Sequence, residues 1–225
     1  MTKTKLPRGR PKLALEDNEA CERILNTAQQ LFAEKGFSKV SLRELTAAAQ
    51  THLAAVNYYF GSKDKLLEAL IQRSAKAIYK ERMALLEAAN RAETTPDRKA
   101  RQIIHALIAP VITPTAGTDN YLLGTLMART LSDAPRELTD LVERQTSHLT
   151  PFAEAIKAVL PALSMAAIHW RLHFILNIEH AVLTENKRLI HLSGGLCDAS
   201  DRAALLENIL DFVMPGLVAT EGSGD

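Results

Sequence analysis

Ser41-Leu42-Arg43-Glu44-Leu45, then Ala49-Gln50-Thr51-His52, then Leu53-Ala54-Ala55-Val56-Asn57-Tyr58-Tyr59-Phe60-Gly61-Ser62: this stretch decides the fold. It opens on a capping box, in which the Ser41 hydroxyl accepts from the Glu44 N–H and Glu44 reaches back to the Ser41 N–H. A short helix therefore begins here and ends near Ala48. The polar break at Gln50-Thr51-His52 separates it from a second short segment, 53–60, and Ser62 caps whatever follows Gly61. Two short helices joined by a three- or four-residue turn form a helix-turn-helix, here over 41–60. The second helix is too short to nucleate alone and needs neighbours to hold it. Val56 and Phe60, four apart, can face inward against Leu45 and Phe32. His52, Leu53, Ala54, Ala55, Asn57 and Tyr58 then point outward.

The flanks supply those neighbours. Upstream, Ala20, Ile24, Leu25, Ala28, Leu31 and Phe32 recur at helical spacing and predict a helix over 18–35. Gly36 ends it, and Phe37 folds back onto its last turn. Downstream, Leu66, Leu67, Leu70, Ile71 and Ile78 carry a fourth helix to about residue 86. Five or six more follow, about nine in all. They are expected over 96–108, 120–131, 135–148 (interrupted or kinked at Pro151 and stopped by Pro161), 164–183 and 201–214. Pro110 and Pro114 break a loop between the first two, and 185–200 is largely loop. The chain is thus predicted to be all-α, with one unit over 1–70 and a larger helical unit over 71–225.

Composition agrees. The 225 residues are 47% hydrophobic, enough for a packed core and too apolar for a disordered chain. No apolar run reaches the ~18 residues needed to span a bilayer, and no apolar stretch follows the basic N-terminus, so neither insertion nor export is expected. Cys21 and Cys197 make no disulfide framework, which suits a reducing cytoplasm. No nucleophile stands at a recognisable spacing from a base, and no glycine-rich loop is present to cradle a phosphate. Neither an enzyme nor a cofactor is expected. The charges are unevenly spread: residues 1–75 carry 12 basic and 8 acidic side chains, while the remaining 150 carry 15 and 18. A net charge of +1 hides a cationic first third that attracts a polyanion.

Ala33-Glu34-Lys35-Gly36-Phe37, Ser41-Leu42-Arg43-Glu44-Leu45 and Val56-Asn57-Tyr58-Tyr59-Phe60-Gly61-Ser62-Lys63-Asp64-Lys65-Leu66-Leu67 together resemble the DNA-binding domain of the TetR family of bacterial transcriptional regulators. The segment around Leu53–Tyr58 is similar to the fatty-acid-responsive PsrA-like subgroup. The chemistry of the outer face fits. Ala54 and Ala55 are small enough for close approach to base edges, and Asn57 has the geometry for a bidentate contact to adenine. Arg43 can reach a guanine edge. The resemblance implies that Thr51, Tyr59 and Lys63 hold phosphates, and the candidate contacts are completed by Ser41, His52, Leu53 and Tyr58. The turn departs from the family's usual Ala-Gly-Val-Ser. If Gln50 takes the left-handed conformation normally given to glycine, about 1 kcal/mol of strain results.

Pro7-Arg8-Gly9-Arg10-Pro11, inside a basic arm over 1–15, is the core of an AT-hook, whose Arg8 and Arg10 would enter a narrow minor groove. For the larger unit the resemblance implies ligand binding and dimerisation. Segments 164–183 and 201–214 are apolar on more than one face, as expected for helices that bury one face in their own protomer and one in a partner. His105, Tyr121, Met127, Arg129, Phe152, Trp170, His173 and Asn177 are candidates for lining a small-molecule pocket. Arg129, the one cation on an apolar segment, suggests a carboxylate ligand such as a fatty acid or acyl thioester. His169 and His173, four apart, have metal-ligand spacing, but no carboxylate occupies the adjoining position, so an interface or pocket pair is the better reading and a metal-dependent enzyme the weaker one. The expected protein is a cytoplasmic, nucleoid-associated homodimer on a near-palindromic DNA operator. It would act as a repressor released by an apolar effector, or else as an activator or architectural protein without one.

Overall fold

A computed structural model describes residues 12–113, 120–144, 149–184 and 186–219. Among them it has eleven α-helices and no strand: α1 (Lys12–Lys35), α2 (Leu42–Ala48), α3 (Leu53–Phe60), α4 (Lys63–Arg91), α5 (Pro96–Ile112), α6 (Asn120–Asp133), α7 (Arg136–Arg144), α8 (Thr150–Val159), α9 (Met165–Thr184), α10 (Asn186–Ser193) and α11 (Arg202–Val218). None of them is long and apolar enough to cross a membrane.

Two apolar clusters organise these helices. The first gathers Ile24, Ala28 and Phe32 of α1, Leu45 of α2, Val56 of α3 and Leu66, Leu67, Leu70 and Ile71 of α4. It does not close on its own residues: Leu126 of α6 and Leu138 and Val142 of α7 complete it. The second is built around α5, whose residues from Ile103 to Ile112 are all buried except His105. Packed on it are Ile78 and Leu86 of α4, Phe152 and Ile156 of α8, Ile168, Leu172 and Ile175 of α9, and Leu206, Leu210 and Val213 of α11. Helix α4 belongs to both clusters and so runs from one unit into the other.

Several boundaries depart from the pattern-based expectation. Pro110 does not end α5, which continues through Ile112. Near a C-terminus the missing N–H costs one hydrogen bond, and burial of Val111 and Ile112 outweighs it. Pro215 lies within α11 for the same reason, since Leu217 beyond it is buried. There Arg171 donates to the carbonyls of Leu217 at 2.6 Å and Ala219 at 2.7 Å, satisfying the helix end. Pro151 starts α8 rather than kinking a helix, as suits a residue with no N–H to leave unpaired in a first turn. Helix α10 occupies much of the expected loop and stops at Gly194 and Gly195, both at positive φ.

Candidate nucleic-acid interface

The helix-turn-helix forms as its local chemistry dictates. The Ser41 hydroxyl accepts from the Glu44 N–H at 3.1 Å. The Glu44 carboxylate takes a hydrogen bond from Lys35 at 2.6 Å, which lowers its pKa, with a smaller contribution from the Ser41 backbone. The preceding turn is closed by Gly36 at φ 87, and the Phe37 ring lies edge-on to Phe32 at 5.3 Å. Between α2 and α3, Gln50 has φ 50, making it the one non-glycine residue at positive φ among the described residues. The Gln50 N–H donates to Ala47 O at 3.2 Å and the Thr51 N–H to Thr46 O at 2.9 Å, so backbone bonds hold the turn around the strained residue. Gln50→Gly is expected to raise the unfolding free energy by a few tenths to about 1 kcal/mol, because relief of the left-handed strain exceeds the extra freedom of the unfolded chain. Urea unfolding measures this, and a loss of stability would count against strain at Gln50.

Val56 is fully buried and anchors α3, with Phe60 and Tyr59 half-buried beside it. Its opposite face carries exposed His52, Leu53, Ala54, Asn57 and Tyr58, the last 76% accessible, with Ala55 half-buried at the margin. Ser41 and Arg43 are exposed one element earlier, and Thr51 is half-buried. The Ser62 hydroxyl is spent on the Lys65 N–H at 3.1 Å. Lys63, expected at a phosphate, instead turns its ammonium inward: it donates to Phe37 O at 2.5 Å and sits 4.0 Å from the Phe37 ring centroid. Burial lowers its pKa, opposed by Asp64 and Asp133. Lys39, outside the expected set, is also exposed just before the capping box and forms no ion pair among the described residues. A basic residue two positions ahead of that Ser was the available signal. Arg8 and Arg10 lie outside the described residues.

Helix α6 clamps this unit to the body. The Asp133 carboxylate accepts from the Ser38 N–H at 3.4 Å and its hydroxyl at 3.2 Å, an approach that a side chain on Gly36 would block. Arg129 donates to Glu34 O at 3.0 Å, at the C-terminal end of α1. Arg129 is therefore a link between units and is not among the residues lining the cavity of the body.

The body holds a cavity of about 170 Å³ between α4, α6 and α9, with Val111, Val142 and Leu149 completing its lining. Of the eight residues proposed from sequence, Met127 alone lines it. Phe152 is fully buried in the core. The Tyr121 ring lies 3.1 Å beneath the Arg202 guanidinium. His105 is half-buried, its pKa lowered by desolvation, which the charge of Glu207 opposes. Trp170, His173 and Asn177 are exposed on the outer side of α9, where Asn177 donates to His173 O at 2.8 Å. His169 is exposed too, and among the described residues no group of three side chains could hold a metal ion. The polar residues at the cavity are Tyr79, Arg82, Glu179 and His180. Arg82 and Glu179 pair at 2.9 Å with each side chain 13% accessible, and burial raises the Glu179 pKa against the pull of Arg82. Glu179 is the sole acid in the long apolar α9, a signal visible in the sequence.

Comparison with known proteins follows the same division. Residues 24–70 match the family model of bacterial regulatory proteins of the tetR family, and residues 104–216 match the tetracyclin repressor-like C-terminal domain. The chain is 40% identical over 50 residues to the probable HTH-type transcriptional regulator YttP of Bacillus subtilis, covering 22% of this chain and 24% of that one. It is 30% identical over 148 residues to the HTH-type transcriptional dual regulator CecR of Shigella flexneri, covering 62% of this chain and 66% of that one. The matched stretch thus spans a quarter of the first relative and just under two thirds of the second. In fold it is similar to the fatty acid degradation regulator FadR of Bacillus halodurans, with a TM-score of 0.63 at 16% identity over 96% of this chain and 98% of that one. With both halves of the family's architecture matched in order, the chain belongs to the TetR family of bacterial transcriptional regulators.

Proposed function

We propose that the protein is a homodimeric, sequence-specific repressor that acts on the nucleoid in the cytoplasm and leaves its operator when a small, mainly apolar molecule fills the cavity of the body. The observation that carries the reading is the division of α3 between a buried anchor, Val56, and an outer face of small and polar side chains that no other element covers. Such a helix suits a major groove: Asn57 reads a base, Ala54 permits close approach, and Arg43, Lys39 and Tyr58 surround the contact. Two copies related by a two-fold axis and about 34–36 Å apart would read a near-palindrome. Selection of bound fragments from genomic DNA tests this directly. Recovery of a symmetric motif with that half-site spacing is expected; enrichment without any motif would remove the sequence-reading role.

Dimerisation is supported by the outer side of α9 and α11. Trp170 and Phe174 stack there at 5.7 Å between centroids, 62% and 57% accessible, and Phe212 is 76% accessible. Exposed aromatic side chains on two packed helices suit the centre of an interface. For release, the cavity walls include α4 and α6, two of the helices that reach the DNA-binding unit: α4 by continuity, α6 through Arg129 and Asp133. An effector with higher affinity for one spacing of the two heads than the other would shift the population toward it. The apolar wall suits an alkyl or acyl chain.

The N-terminal arm adds a separate contact. Five cations, Lys3, Lys5, Arg8, Arg10 and Lys12, precede Leu15 with no acid among them. Removal of residues 1–12 is expected to flatten the salt dependence of operator binding by up to about four units of log–log slope per protomer, through lost counterion release. An unchanged slope would show that the arm does not touch DNA.

A further inference from the structure

We infer that the cavity between α4, α6 and α9 selects a neutral ligand, an apolar body bearing one hydroxyl or amide N–H, and discriminates against carboxylates; the inference rests on the reading of this cavity as the effector site. Its wall of Ile78, Val111, Met127, Leu176 and Leu183 offers apolar area and nothing to pair with a charge. The charged end is Arg82 with Glu179, which engage each other, and Tyr79 and His180 add polar atoms to the lining. Arg82 Nε donates to Leu107 O at 2.6 Å, and Nη2 donates to the two Glu179 oxygens at 3.0 and 2.9 Å.

The pair is electrically neutral, and that decides the selectivity. A ligand carboxylate would either evict Glu179 from the guanidinium, leaving that acid uncompensated, or crowd against its negative charge with only the half-buried His180 imidazole and Tyr79 to face it. An ammonium ligand fares no better, since Glu179 is already engaged by Arg82. A neutral donor meets no such obstacle. Each Glu179 oxygen accepts one bond from Arg82 and keeps a lone pair for a ligand O–H or N–H. The volume of about 170 Å³ is comparable to the ~150 Å³ cavity that holds a benzene ring, so the enclosed part is small. Tyr79 and Leu131, both over a third accessible, mark where a longer chain would emerge.

The test uses the full chain with 1-octanol, octanoate and octylammonium near neutral pH, following binding by the shift in Tm and operator affinity separately. Octanol is expected to raise Tm with an apparent Kd about tenfold or more below those of the two ions. Glu179→Gln leaves the Arg82 charge uncompensated, so octanoate should gain more than the roughly tenfold gap that separates it from octanol on the native protein and overtake it. Because that change breaks a buried pair and can cost the fold, Arg82→Met with Glu179→Leu provides a second variant without either charge. There octanol should weaken about tenfold for want of its acceptor, and octanoate should gain nothing. The inference is overturned if octanoate matches octanol on the native protein, if none of the three raises Tm, or if the order of ligands is the same in every variant that folds. Octanol binding that leaves operator affinity untouched would instead remove the effector role and let the selectivity stand.

Discussion

Asn57→Ala is expected to abolish most discrimination at one base pair of each half-site while leaving the fold intact. A bidentate side-chain contact to adenine contributes about 1–3 kcal/mol of discrimination, and a symmetric dimer makes it twice, so the selected operator should lose about 2–6 kcal/mol of affinity, roughly thirtyfold or more. Asn57 is exposed on α3, and its neighbours Val56 and Phe60 supply the packing. Alanine is also the better helix former, so Tm should not fall. Competition binding against operators changed at each position measures the effect. An equal loss on every sequence would show that Asn57 only positions the backbone.

The second large effect is expected from Trp170→Glu combined with Phe212→Glu. Both side chains are mostly accessible in the protomer, so each protomer should fold normally, but four carboxylates would be forced into the symmetric interface. Sedimentation or light scattering should report monomers. Operator affinity should fall roughly 10²- to 10⁴-fold, since each head would then bind its half-site without the effective concentration supplied by its partner. A dimer that persists would place the interface elsewhere on the body.

The two effects differ in how visible their origins are in the sequence. The exposed position of Asn57 could be read from spacing alone, because the caps and the turn of the helix-turn-helix are set by hydrogen bonds spanning a few residues. The Ser41 cap bonds three residues away, the turn closes within a few residues, and Gly36 and Gly61 end their helices at positive φ. Even the unusual Gln50 conformation follows from its place in the turn. Lys63 shows the limit of such reasoning. Its position relative to Ser62 is local, but the pull of the Phe37 carbonyl and ring comes from 26 residues earlier in the chain.

The body was legible as helices and illegible as a site. Periodicity found α9 and α11 and marked them as apolar on more than one side, and the exposed Trp170, Phe174 and Phe212 fit that pattern. It misjudged Pro110 and Pro151, because the cost of a proline depends on its turn of the helix and on what lies buried beyond it. It chose Arg129 for a pocket since that cation lies in an apolar stretch. Only the packing of α6 against α1 turns it toward Glu34 instead.

The amino-acid order by itself determined the all-helical class, the recognition helix and its outward face, because these depend on hydrogen bonds and side-chain periods spanning a few residues. The tertiary structure alone decided where the cavity lies and what its polar end is made of. Arg82 and Glu179 are separated by 97 residues, and their pairing exists only once α4 and α9 have been packed around a common core. No local propensity specifies which distant charge a buried residue will meet.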